Sequence, residues 1–169
     1  KTQEGREILH ALAKTADVVV ENYRPDVKQR LGCDFETLHG INPRIILVSI
    51  SGFGQEGPYR NRPGVDQIAQ GMTGLMSVTG FPDNPPVRSG AAITDVTAGL
   101  LAAIGTMTAL LEREVSGKGQ WVQTSLLQAG MALMDFQAAR YLIGGEVAGR
   151  VGNDHPSIVR MSVYNTADG

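Results

Sequence analysis

The sequence is poor in the residues that build disulfides and metal sites. Its 169 residues include one cysteine, Cys33, and a single thiol excludes both an internal disulfide framework and a zinc site made of cysteines. The histidines His10, His39 and His155 lack the spacing of a metal-binding set. We therefore expect no metal, an inert Cys33 and a cytoplasmic protein, because such low cysteine use suits a reducing compartment.

An excess of charge of one sign is also absent. Fifteen basic residues stand against seventeen acidic ones and leave a formal net charge of -2. This balance excludes attraction of the whole molecule to nucleic acid or to an anionic membrane. The sequence does not open with a cationic segment followed by an apolar centre, so it gives no indication of a secretory signal. With 42% hydrophobic residues, the chain has enough apolar surface for the core of one domain.

No apolar run reaches the length of about 20 residues that a membrane span needs. The most apolar stretch, residues 96–111, is shorter and is interrupted by threonines and by Gly99 and Gly105. We therefore predict a buried helix of a soluble protein here.

Apolar spacing predicts helices that alternate with three strands. Helical spacing marks residues 4–15, 27–31, 35–39, 65–70 and 96–113, and a last helix that Ser125 caps and that runs through Met134. Strand patterns mark residues 16–21, 44–50 and 120–124, whereas residues 72–86 read as irregular. This alternation favours an α/β layer with parallel strands. Beyond Gly144 the pattern fades into a glycine-rich connection.

Two common enzyme signatures are missing. The first strand is followed by no glycine until Gly32, so a G-x-G-x-x-G dinucleotide turn is excluded. The sequence also has no G-x-S-x-G motif, so it lacks the nucleophile elbow of serine hydrolases.

The segment ENYRP is the first candidate site. It follows a predicted strand, at the sheet edge where open α/β folds bind ligands, and it carries the amide of Asn22, the ring of Tyr23 and the guanidinium of Arg24. Such groups, with Arg30 close behind, can stack on a base and pair with phosphates. A surface turn with solvated arginines is the alternative.

Asp95 is the second candidate. From Ala91 to Leu111 it is the one ionisable side chain, at the head of an apolar helix. It is either an N-cap, since aspartate accepts hydrogen bonds from first-turn amides, or a reactive carboxylate. The positive end of the helix dipole favours its ionised form by about 0.3 to 1 kcal/mol and opposes the desolvation penalty. Free amides at that terminus could also stabilise an oxyanion.

Four blocks then identify a family. They read ADVVVENYRPDVKQRLG, PRIILVSISGFGQEGPY, RPGVDQIAQGMTGLM and GAAITDVTAGLLAAIGTMTALLEREVSGKGQWVQTSLLQA. In this order and spacing they closely resemble the class III CoA-transferases, the family of formyl-CoA transferase, the carnitine-related CoA-transferases and the α-methylacyl-CoA racemases. The resemblance covers nearly the whole chain.

The resemblance implies a fold and a set of site residues. It implies an α/β fold: part of a Rossmann-like large domain with parallel strands flanked by helices, from an interlocked homodimer. Residues 1–143 would be the central part of the CoA-binding large domain, and residues 144–169 a linker toward a small domain. The nucleophilic aspartate falls on Asp95. The coenzyme A contacts fall on the following residues: Asn22, Tyr23, Arg24, Arg30, Val65 and Asp66.

The implied reaction passes coenzyme A from an acyl-CoA to a carboxylic acid through mixed anhydrides and an aspartyl-CoA thioester on Asp95. Coenzyme A is then a substrate, and no permanently bound cofactor is expected. In the racemase branch a histidine base precedes the aspartate at position 66, whereas this chain has Val65. That difference favours a transferase over a racemase, which stays the first alternative. Asp66 either hydrogen-bonds near Asp95 or caps its own helix. A non-catalytic CoA-binding module is the second alternative, should these residues be the entire polypeptide.

Overall fold

A computed structural model describes residues 2–168, in which helices cover both faces of a parallel sheet. The strands are β1 (Val18–Glu21), β2 (Ile46–Ser51) and β3 (Trp121–Ser125). The helices are α1 (Gln3–Ala13), α2 (Pro25–Leu31), α3 (Phe35–Ile41), α4 (Asp66–Met72), α5 (Leu75–Val78), α6 (Ile93–Ser116), α7 (Leu126–Leu133) and α8 (Asp135–Gly144).

Strand β2 lies in the middle of the sheet. It pairs in parallel with β1 on one side, where Val20 faces Val48, and with β3 on the other, where Ser51 faces Ser125. Its run of apolar residues is buried on both faces, as expected of a central parallel strand. All three strands therefore end at one edge of the sheet, and this edge carries the candidate site.

Two layers of helices close the core. On one face, α1, α2 and α3 pack over the sheet around Leu38, Ile45 and Leu47. On the other face, α6 packs Ala102 and Ala109 against Ile46 and Val48. The α/β fold with parallel strands is thus confirmed. Cys33 lies in the first layer, where burial, followed by the negative charge of Glu21, raises the pKa of its thiol.

Three predicted elements need correction. Helix α6 begins at Ile93 rather than at residue 96. The segment predicted as irregular contains the short helix α5. The predicted last helix agrees with α7, but a further helix, α8, follows it and was not predicted; the two are separate because Asp135 adopts a φ of 40°, outside the right-handed helical region.

The prediction that residues 96–111 form a buried helix is wrong for the outer face of α6. Its small residues Ala98, Ala102 and Ala109 contact the core, while large apolar side chains on the opposite face are exposed. By length and composition alone, α6 could cross a membrane. The exposed stripe, called the α6 outer face below, consists of Val96, Leu100, Ile104, Met107, Leu111 and Val115.

After α8, residues 146–168 contain no helix or strand. They fold back in part, since Gly152 donates a backbone hydrogen bond to Gly80 and Arg150 contacts the carbonyl of Phe81. The division of the chain at residue 144 stays a prediction.

Candidate active site

The carboxyl ends of the strands open into a cavity that contains Asp95. The cavity has a volume of about 500 Å³. Its walls come from the loop after β1, from the end of β2 and the glycines that follow it, and from the first turns of α6 and α7. Its lining residues are Asn22, Ile50, Gly52, Gly64, Val65, Asp95 and Leu126.

A second, smaller cleft adjoins this cavity. It measures about 170 Å³ and shares Asn22, Gly52 and Gly64 with the first. One wall is the loop after β1, with Asn22, Tyr23, Arg24 and Pro25; the other is the loop from Ser51 to Gly64, with Arg60, Arg62 and Pro63. Three guanidinium groups thus belong to one cleft, which suits a phosphorylated ligand. We call it the arginine cleft.

Glycines bring the two ends of the second loop together. A Cβ atom at Gly52 would lie 2.6 Å from the Cα atom of Gly64, so any larger residue at Gly52 would push the two ends of the loop apart. The side chain of Asn22 donates a hydrogen bond of 2.7 Å to the carbonyl of Ile50. Together these contacts fix the shared wall of the two cavities.

Asp66 lines neither cavity, but it supports the helix turn that carries Asp95, which lines the larger one. Its buried carboxylate accepts hydrogen bonds from the backbone amide of Thr94 at 2.9 Å and from the Thr94 hydroxyl at 2.7 Å. Burial raises the pKa of Asp66, but the bonds from Thr94, Gln70 and the Asp95 amide outweigh burial and lower the pKa below its ordinary value. Asp66 is therefore a cap for α6 supplied by another helix.

Gln70 extends this support to the segment before α6. Its side chain is completely buried. It donates to Asp66 Oδ2 at 2.7 Å and accepts from the backbone amide of Ser89 at 2.8 Å. A buried amide with both ends satisfied in this way fixes the geometry of the groups it joins, here the start of α6 and the chain that leads to it.

Asp95 itself lies in the first turn of α6 and is exposed. It is not the N-cap, since Ala92 occupies that position without a side-chain bond. Partial burial, followed by the negative charge of Asp66, raises the pKa of Asp95 above its ordinary value.

The expectation of free amides at this terminus is wrong for most of the first turn. The amide of Ile93 donates to Ala91, that of Thr94 donates to Asp66, and that of Val96 donates to Ala92. The amide of Asp95 also interacts with Asp66. Any oxyanion at Asp95 must find its donors elsewhere.

The structure brings together most of the residues that the sequence singled out. Asn22, Val65 and Asp95 line the larger cavity, and Asn22, Tyr23 and Arg24 line the arginine cleft. Arg30 lines neither of them; its guanidinium lies 3.4 Å from the carboxylate of Asp26 and is largely exposed. Within residues 2–168 no group of three His, Cys, Asp or Glu side chains gathers to hold a metal.

Sequence reasoning missed the second wall of the cleft and the support beneath Asp95. Arg60 and Arg62 lie in a loop rich in glycine and proline, where no periodicity indicates which way a side chain points. Their positions, one and three residues after Tyr59, were a usable signal, since the guanidinium of Arg62 lies 4.2 Å above the ring of Tyr59. Gln70 gave the weaker signal of a polar residue one helical turn after Asp66.

Known proteins match the chain along its whole length. It is 40% identical over 169 residues to the succinyl-CoA–D-citramalate CoA-transferase of Chloroflexus aurantiacus and 43% identical to the succinate–glutarate CoA-transferase of Agrobacterium fabrum. It covers 42% of each of these proteins, so it spans about two fifths of their length.

A solved structure agrees. A CAIB/BAIF family protein from Brucella suis superimposes with a TM-score of 0.91 at 40% identity, over 99% of this chain and 44% of that one. A family model described as CoA-transferase family III matches residues 1–169. The chain with the Asp95 cavity therefore belongs to CoA-transferase family III.

Proposed function

We propose that the protein is an enzyme that passes coenzyme A from an acyl-CoA to a carboxylic acid, with Asp95 as the group that carries it. The observation that supports this most directly is the position of Asp95 in the wall of a 500 Å³ cavity next to the arginine cleft. Phosphates held in that cleft would leave the thioester end of coenzyme A free to enter the cavity. Relatives named as CoA-transferases for succinate, glutarate and citramalate support a dicarboxylic substrate class.

The proposed reaction needs no proton transfer. A carboxylate oxygen of Asp95 attacks the thioester carbonyl carbon, the C–S bond breaks, and the thiolate of coenzyme A leaves a mixed anhydride behind. The thiolate then attacks the Asp95 carbonyl carbon, the anhydride C–O bond breaks, and the donor acid departs as a carboxylate. The acceptor carboxylate repeats both steps in reverse order, which regenerates Asp95. No permanently bound cofactor enters this sequence.

The environment of Asp95 suits a nucleophile. A carboxylate with a raised pKa is more basic than a free one and binds an electrophilic carbon more readily. The support from Asp66 and Gln70 holds its helix turn in place, and such fixed geometry is a large part of catalysis.

A transferase is favoured over a racemase by Val65. This side chain lines the cavity beside Asp95 and has no basic group. The neighbouring Asp66 carboxylate is buried and already accepts from Thr94 and Gln70, so it is not free to remove a proton from the α-carbon of a substrate.

We also propose that the complete protein is an interlocked homodimer. The α6 outer face supports a covering partner, because exposed apolar stripes of this kind mark interaction surfaces.

Trapping the intermediate tests the proposed function. The complete protein is incubated with succinyl-CoA alone and then with hydroxylamine, which turns an aspartyl thioester into a hydroxamate. Peptide mass spectrometry should locate the hydroxamate at Asp95, and Asp83→Asn, an exposed control, should leave the result unchanged. An unmodified Asp95 with ongoing transfer would refute the proposal. Exchange of deuterium into the α-carbon of an acyl-CoA without any acceptor acid would instead identify a racemase.

A further inference from the structure

A buried lysine lies next to the arginine cleft, in the wall of a neighbouring cavity that shares Pro25 and Arg60 with the cleft. Lys28 lies in α2, and its side chain is 4% exposed. Its ammonium group donates hydrogen bonds to Ser49 Oγ at 3.2 Å and to Gln55 Oε1, and it forms an ion pair with Glu21 Oε1 at 3.2 Å. The same nitrogen lies 4.6 Å from the centre of the Trp121 ring.

The partners of Lys28 lead to both walls of the cleft. Glu21 Oε2 accepts a hydrogen bond of 2.7 Å from the backbone amide of Tyr23 and so fixes the first wall. Gln55 belongs to the second wall, and its Nε2 donates to Ser51 Oγ at 3.3 Å. Ser51 Oγ also accepts from the backbone amide of Gly54. One ammonium group therefore connects the two loops.

The third partner ties this arrangement to the sheet. Ser49 is fully buried in β2, and its hydroxyl also accepts a hydrogen bond of 2.8 Å from Trp121 Nε1 on β3. The ammonium group is thus held relative to two strands, and the two loops are held relative to it.

Stability alone does not account for a charge in this place. Removing an ammonium and a carboxylate from water is costly, and apolar residues of similar volume often stabilise a protein at least as well as a buried ion pair. The ion pair of Lys28 and Glu21 instead provides fixed geometry, because the groups hydrogen-bonded to the pair are each held in one place.

We infer that Lys28 is a positioning residue that holds the two walls of the arginine cleft at the separation that the phosphates of a CoA thioester require. The inference rests on the proposed function of the cleft. Lys28 does not line the cleft itself, so its effect on the ligand passes through Tyr23 and Gln55.

The test compares steady-state constants of the complete protein and of variants. Lys28→Met should raise the KM for succinyl-CoA by about tenfold, a typical effect of one lost charged hydrogen bond. The kcat and the KM for the acceptor acid should change much less, because the Asp95 cavity does not depend on this link. The exposed Lys14→Met serves as the matched control and should behave as wild type.

Two further variants separate positioning from folding. Lys28→Met leaves Glu21 charged and unpaired, whereas the double variant E21Q/K28M removes both charges and keeps an acceptor for the Tyr23 amide. A positioning role predicts that the double variant regains its melting temperature but not its KM. Recovery of both would overturn the inference. If the double variant does not fold, Gln55→Ala decides, because it detaches only the second wall. The same rise in the KM for succinyl-CoA supports the inference, and an unchanged KM overturns it.

Binding of free coenzyme A, measured by calorimetry, distinguishes failure of the proposed function from failure of the positioning role of Lys28. If wild-type protein does not bind it, the proposed function of the cleft fails. If wild type and Gln55→Ala bind it equally well, only the role of Lys28 fails.

Discussion

The carboxylate of Asp66 and the backbone amide of Thr94 are joined by a hydrogen bond of 2.9 Å. The bond links the first residue of α4 to the first turn of α6, one residue before Asp95. It places a second negative charge beside Asp95 while it fixes the helix turn that carries it. The pH dependence of the proposed enzyme should follow from this pair.

Asp66→Asn should extend activity to lower pH. The charge of Asp66 contributes to the raised pKa of Asp95, and asparagine removes that charge but keeps an oxygen that can accept from Thr94. The pKa of Asp95 should therefore fall, and more of it should be ionised in mildly acidic solution. The measurement is kcat against pH, in which the acidic limb should move to lower pH. A limb that stays in place would show that Asp66 does not influence Asp95 electrostatically.

Asp95→Asn should abolish transfer and raise the melting temperature at neutral pH. A group whose folded pKa lies above its unfolded value gives stability that is present at low pH and is lost as the pH rises through the folded pKa. Asparagine has no such loss. The melting temperatures of variant and wild type should therefore differ most at neutral pH and converge in acid. A constant difference at all pH values would point to packing rather than charge.

Gln70→Met should weaken both the fold and the reaction. The substitution leaves the Ser89 amide and one oxygen of Asp66 without their partner, which costs about 1 to 3 kcal/mol of unfolding free energy. The kcat should fall because the start of α6 is less fixed, while the KM for succinyl-CoA should hold. Urea unfolding and steady-state kinetics measure the two effects. The matched control is Gln67→Met on the exposed side of the same helix, which should shift the free energy by less than about 0.5 kcal/mol.

The sequence predicts the strands around the site better than the residues that support it, because nothing local distinguishes the buried Gln70 from the exposed Gln67. The apolar run of β2 predicts a strand that is buried on both faces, and the structure agrees. The start of α6 was placed three residues late because its cap, Asp66, lies 28 residues before Thr94. Local propensity carries no information on a cap that comes from another segment.

The exposure of the α6 outer face was predicted wrongly, and the second wall of the arginine cleft was not predicted at all. The two reasons are related. Leu100 is as apolar as a core residue, and composition alone gives no indication that it is 60% exposed. Arg60 and Arg62 lie in a loop whose path is set by the close approach of Gly52 and Gly64. Both features depend on packing between segments that are distant in the chain. The family resemblance supplied Asp95, Asn22 and Tyr23 as site residues, but it assigned no role to Arg60 or to Arg62, although Arg62 begins the third block.

R60Q/R62Q should weaken binding of the CoA thioester and reduce its dependence on salt. Each arginine lines the cleft, and attraction between exposed guanidinium groups and phosphates is screened as ionic strength rises. The KM for succinyl-CoA should rise about tenfold if one strong phosphate contact is lost, and it should vary less between low and high salt. Arg44→Gln is the control, since Arg44 pairs with Glu114 away from the cleft. A rise in the KM of the acceptor acid alone would instead place that acid in the cleft.

Gly52→Ala should disturb the shared wall of both cavities, whereas Gly40→Ala should stabilise the protein. A Cβ at Gly52 would lie 2.6 Å from the Gly64 Cα, so the backbone must shift, which costs about 1 to 3 kcal/mol. A Cβ at Gly40, inside α3, would meet nothing within 4 Å, and alanine there should add about 0.5 to 1 kcal/mol through its helix propensity. Urea unfolding gives both values. Because Gly52 borders the cavity and the cleft together, its variant should also raise the KM for succinyl-CoA and lower kcat, whereas Gly40→Ala should keep both constants. Equal stability of the two variants would mean that the loop closes differently from the geometry described.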